Sequence, residues 1–137
     1  MSHVPDPEHD LEEQARADFE ALVDEAVAAI PEPFSAHLGG VAIVVEDDTR
    51  PGQAPPGQLL FGLYQGVPRT AWGASGAPHA SKITIFRRPH ELMYRDRAAR
   101  AQAVQGTVLH EVAHYFGIDE TQIRSIEAGR RRAPGHR

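Results

Sequence analysis

The side chains best placed to do chemistry lie within residues 107–120, Thr-Val-Leu-His-Glu-Val-Ala-His-Tyr-Phe-Gly-Ile-Asp-Glu. On a helix, His110 and His114 stand one turn apart on the same face, so both imidazoles can reach one metal ion. Glu111 sits about a quarter-turn round the helix, where its carboxylate can touch a metal-activated water without ligating the metal. Such a trio suits metal-assisted hydrolysis, in which Glu111 is the general base and proton carrier.

A catalytic zinc site normally has three protein ligands and one open position. His110 and His114 supply two, and Asp119 and Glu120 are both candidates for the third. Asp119 is well placed to cap the helix that follows, with Gln122 at the third helical position. Glu120 would then be the first helical residue, free to turn back, and this favours Glu120 as the third ligand. Two imidazoles and a carboxylate suit one Zn2+ ion and bring the pKa of bound water toward about 7. The donor for the oxyanion is left open among Tyr64, Tyr115, His79, His90 and Arg124. His37 reads as a surface or half-buried residue.

The helix that must carry the trio is expected from an N-cap at Asp96 to Phe116, closed by a left-handed Gly117. Gly106, one turn before His110, costs this helix about 1 kcal/mol against alanine. It reads either as a tight contact with a neighbouring backbone or as ordinary tolerance. Upstream, Asp10 and Glu13 form a capping-box pattern ahead of a long amphipathic helix ending at Ile30-Pro31. Its apolar stripe includes Leu11, Ala15, Phe19, Leu22, Val23, Ala26 and Ile30. Three strands are expected, at 41–45, 59–65 and 82–87. Gly62 within the second marks a bulge or a close backbone approach. Pro- and Gly-rich loops occupy 47–58 and 69–80, a short helical turn is expected over 90–94, and a last helix runs from Asp119 to Gly129.

With 137 residues the chain fits one domain over 10–129, between a disordered tail at 1–9 and a basic disordered tail at 130–137. It has no cysteine, which excludes disulfides and thiolate metal sites. The net charge of -5 argues against general affinity for nucleic acid or anionic membranes. The charge is uneven: residues 1–48 hold thirteen acids and one base, and 87–137 hold ten arginines and six acids. The N-terminus lacks the pattern of a signal peptide, and no stretch approaches the roughly 18 apolar residues of a membrane span. A cytoplasmic, monomeric protein is expected.

The run His110-Glu-x-x-His-x-x-Gly-x-x-Glu120 resembles the motif of the bacterial minimal zincin-like metallopeptidases, small single-domain proteins. The resemblance extends to Leu60-Phe-Gly-Leu-Tyr-Gln-Gly-Val-Pro68 and Lys82-Ile-Thr-Ile-Phe-Arg87, and so covers most of residues 15–128. It implies an α+β fold, a small mixed β-sheet packed against the active-site helix and an N-terminal helix. It also implies an edge strand above the cleft, near 59–66, on which a peptide or flexible protein segment docks. The family's usual third ligand is an aspartate where this chain has Glu120, one methylene longer. The function so implied is that of a zinc metallopeptidase. The alternatives are a metal-binding regulatory or peptide-binding protein with little turnover, and a non-peptidase zinc hydrolase. The last usually needs a third histidine and a basic cleft, neither of which is evident.

Overall fold

The two long helices each start at an aspartate whose side chain caps a free backbone amide. In the computed structural model, which describes residues 6–66, 80–119, 121–123 and 125, helix α1 spans Pro7–Ala28. Its N-cap is Asp6, whose carboxylate accepts from the Glu8 amide at 3.1 Å. The expected cap at Asp10 is therefore corrected by one turn. The reason is Pro7, whose fixed φ and missing N–H suit the first helical position. Phe19, Leu22, Val23 and Ala26 form the buried stripe of α1, whereas Leu11 is exposed. A 3-10 turn at Phe34–His37 follows, with His37 exposed.

The sheet has the order β1-β3-β2, with β1 at Val41–Glu46, β2 at Gly62–Gln65 and β3 at Ser81–Phe86. β1 pairs parallel to β3 and β2 antiparallel to it, so the sheet is mixed. β3, at the centre, contributes Ile83 and Ile85 to the core. The second strand is shorter than expected. Residues 59–61 lie outside it, although the Phe61 carbonyl still accepts from the Phe86 amide at 2.9 Å. The third ends one residue early, because Arg87 opens helix α2 (Arg87–Met93).

Arg87 is 1% exposed and donates to three carboxylates. Its Nε reaches Asp47 at 2.9 Å, its Nη1 Glu91 at 2.8 Å and its Nη2 Glu12 at 2.7 Å. The hydrogen bond from Arg87 holds the Asp47 carboxyl below its usual range. Arg16 and Arg88 extend this cluster to Asp47 and Asp48. It ties α1, the end of β1 and the start of α2 at one corner.

Helix α3 spans Arg97–Phe116, with the Asp96 carboxylate capping the Ala99 amide at 3.0 Å, as expected. It packs on β2 and β3, and α1 packs on α3. The core lies in that layer, where Val104, Val108, Val112, Tyr115 and Phe116 of α3 meet the α1 stripe and Ile83 and Ile85. No described helix is long and apolar enough to cross a membrane. Of the loop expected at 69–80, residues 69–79 lie outside the described residues, as does the expected basic tail at 130–137.

Candidate metal centre

The last turns of α3 carry the metal-ligating pattern. Val108, Val112 and Tyr115 turn into the core, which leaves His110 and His114 on the accessible side. Their ring centroids are 4.5 Å apart. One ligand atom from each of His110, Glu111 and His114 lies within 4.8 Å of the others. Gly117 ends the helix at φ 70°, and its amide bonds back to the carbonyls of Ala113 and His114. The Ile118 amide also bonds to the Ala113 carbonyl at 3.0 Å, which completes the closure of the helix end.

Glu111 differs from the two histidines in burial, at only 5% exposed. Burial pushes its carboxyl above the usual range, against the opposing pull of the His114 and His110 imidazoles and a hydrogen bond from the Tyr64 backbone amide. The His114 Nδ1 stands 3.3 Å from Glu111 Oε1. Two exposed imidazoles beside one shielded carboxylate fit a divalent ion such as zinc, since nitrogen donors of this kind are ordinary zinc ligands.

Gly62 is where β2 crosses over this carboxylate. A Cβ there would stand 2.7 Å from Thr107 Cγ2 and 3.0 Å from Glu111 Cγ, so the close backbone approach read from the sequence is real. Thr107 is fixed from behind by His90, which is fully buried. His90 spans the Phe86 carbonyl, 2.6 Å from Nδ1, and the Thr107 hydroxyl, 2.9 Å from Nε2. Burial lowers the His90 pKa and favours the neutral ring. Because a carbonyl can only accept, Nδ1 carries the proton, a tautomer assigned from the hydrogen-bond network. The Thr107 hydroxyl then turns its hydrogen to Nε2 or to the Ala103 carbonyl, 3.0 Å away.

Several other expected roles can now be placed. The Asp119 carboxylate accepts from the Thr121 amide at 2.7 Å, while the Gln122 side chain accepts from the Asp119 amide at 3.0 Å. Asp119 is thus engaged as the reciprocal cap expected of it. Glu120, the expected third ligand, lies outside the described residues, as do His79 and Arg124. Tyr115 is 1% exposed and packs against Phe116 and Tyr64, so it is a core residue and not an oxyanion donor. The Tyr64 hydroxyl bonds to Ser81 Oγ at 3.0 Å. His90 supports Thr107 from within the core. Gly106 has no atom within 4 Å of where its Cβ would stand, which removes the tight-contact reading. It lines a cleft of about 450 Å³ that opens beside His110 and Glu111.

The Gly62–Thr107–His90 chain was missed at the level of sequence, although Gly62 within an apolar run was a pointer to it. The Arg87 cluster gave no such pointer.

A family model described as "Zincin-like metallopeptidase" matches residues 38–130, well over half of the chain. The protein therefore belongs to the zincin-like metallopeptidase family, and its mixed α+β architecture is consistent with that fold. The match takes in β1, β2, β3, α2, α3 and the His110-Glu111-His114 cluster. No curated protein matches the chain.

Proposed function

We propose that this protein is a zinc-dependent metallopeptidase, with His110, His114 and Glu120 as the zinc ligands and Glu111 as the general base. The observation that carries this reading is a shielded carboxylate with a ligand atom within 4.8 Å of those of two exposed imidazoles, in a chain of the zincin-like metallopeptidase family. Zinc held there supplies Lewis acidity, which polarises a substrate carbonyl and brings the pKa of water toward about 7. Glu111 takes one proton from the attacking water as the new C–O bond forms. It then returns that proton to the amide nitrogen as the C–N bond breaks, so the carboxylate is regenerated. Burial raises its pKa, which makes it a better proton acceptor than an exposed carboxylate.

The substrate in this reading is an extended peptide or a flexible segment that adds to the edge of the sheet at β2. Support comes from the sheet order, which puts β2 at one side, and from the contact of Gly62 with Thr107 and Glu111. Gly62 lets the strand pass close to the base, where a peptide on that edge would bring its carbonyl.

The test is a diverse peptide mixture incubated with zinc-loaded protein and read by mass spectrometry. Cleavage products that disappear with Glu111→Gln are expected. Products that persist in that variant would remove Glu111 from the mechanism. The absence of products with the unaltered protein would favour a peptide-binding role for the same site.

A further inference from the structure

Resting on that metallopeptidase reading, we propose that His90 is a positioning residue for Glu111. Through the Thr107 hydroxyl it holds α3 and β2 at one fixed separation, and so fixes the base relative to a peptide on the sheet edge.

A fully buried histidine is costly unless both ring nitrogens find partners. His90 lies outside the His110-Glu111-His114 cluster, yet its two partners come from the two elements that frame the base. Nδ1 donates to the Phe86 carbonyl at the end of β3, and Nε2 faces the Thr107 hydroxyl of α3. The ring also packs against Phe61, just ahead of β2, at 5.0 Å between centroids, and against Phe19 of α1 at 5.4 Å. A side chain needed only to fill this space could be as apolar as Phe19 and Phe61. A rigid ring with a hydrogen bond at each end is instead a strut between β3 and α3.

These contacts close a circuit beside the base. The Phe86 amide donates to the Phe61 carbonyl at 2.9 Å, and Phe61 leads directly into Gly62. Gly62 in turn faces the Thr107 methyl and Glu111 Cγ, and Thr107 returns to His90. Two routes therefore run from His90 to Gly62, one by way of β3 and Phe61 and one by way of α3. Thr107 stands one helical turn before Glu111, so both side chains lie on the same face. Its hydroxyl is engaged by His90 and the Ala103 carbonyl, and its methyl is the atom nearest to where a Gly62 Cβ would stand. That methyl is the spacer between β2 and α3. A base that must meet a peptide carried on β2 loses rate when the gap changes, by up to about a hundredfold for about 1 Å.

The test uses the full chain, zinc-loaded, with kcat and KM read separately on a peptide that the unaltered protein cleaves. His90→Leu keeps the bulk and removes both hydrogen bonds. Thr107→Val keeps the methyl and removes the hydroxyl. Each should lower kcat about ten- to a hundredfold with KM changed by less than about threefold. The double variant should fall within about threefold of the weaker single variant, because both act through one bond. His90→Gln, whose side-chain carbonyl can still accept from Thr107, should recover most of the loss. Folded variants that melt earlier with kcat intact overturn the proposal, as do losses that multiply in the double variant. Thr107→Val with unaltered kcat overturns it even where His90→Leu fails to fold.

Proton NMR of the zinc-free proteins separates the two claims. A strong nuclear Overhauser effect is expected between the Thr107 methyl and the Gly62 α-protons, weakened in His90→Leu and restored in His90→Gln. An effect unchanged in His90→Leu sinks the positioning role and spares the peptidase. An effect that depends on His90, in a protein that cleaves no peptide, sinks the peptidase and spares the spacing of β2 and α3 by His90.

Discussion

Arg87 and Glu111 are both charged side chains buried in this fold, and their surroundings are opposite. Arg87 has Asp47, Glu91 and Glu12 within 2.9 Å, so its charge is balanced inside the protein. Glu111 has two imidazoles and the Tyr64 amide, and burial outweighs them to raise its pKa. A buried ion with its counterions in place fixes geometry; one whose partners are themselves potential metal ligands is poised for chemistry. The first belongs to the corner joining α1, β1 and α2, and the second to the accessible end of α3.

The contrast can be broken at either pole. The largest effect is expected at Glu111: Glu111→Gln should reduce peptide turnover by a factor of about 10² to 10⁴. The same change should leave thermal stability equal or higher, since it removes a carboxylate that pays for its burial. A kcat measured beside a melting curve checks both. At Arg87 the order reverses. Arg87→Met leaves Glu91 without its cation, and Asp47 and Glu12 with only Arg16 and Arg88, and should cost about 1–3 kcal/mol in urea unfolding, while zinc affinity of the folded protein stays the same.

The two glycines sharpen the comparison at smaller scale. Gly62→Ala should destabilise by about 1–3 kcal/mol, since Thr107 and Glu111 must move to admit the methyl. It should also lower turnover by displacing the base. Gly106→Ala meets open space and should stabilise by up to about 1 kcal/mol. Chemical denaturation of the pair decides whether the two sites differ as described.

The smallest effect is a dependence on pH. His90 has a folded pKa below its ordinary 6.5, so the unfolded chain binds the proton more readily. Its contribution to stability is complete above pH 6.5 and declines as the pH falls toward the lowered value. Asp47 has the same sign in a more acidic window: its contribution is complete above its ordinary 3.8 and is lost as the pH falls through the lowered pKa. Denaturation curves at stepped pH should show both declines. His90→Gln should flatten the upper one, and Arg87→Met the lower.

Much of α3 was legible from residues close together in the chain. The Asp96 cap, the Gly117 stop and the one-turn spacing of His110 and His114 are local, and local rules place them well. The Asp119–Gln122 cap is equally local. The start of α1 was misplaced because Asp6 and Asp10 are both good caps, and Pro7 decides between them. The second strand was drawn too long because an apolar run at 59–61 suits a cleft wall as well as a strand. The Arg87 cluster could not be read, because it joins Arg87 to Glu12 across 75 positions and to Asp47 across 40. Tyr115 and His90 were left open as donors, and only their packing assigns them to the interior.

The most direct test is a calorimetric titration of zinc-free protein with Zn2+, with Glu111→Gln measured alongside. The account predicts one ion per chain in both proteins with similar affinity, because Glu111 stands beside the metal and does not hold it. No saturable binding at one equivalent, or a loss of affinity in Glu111→Gln as large as in His114→Ala, would contradict it.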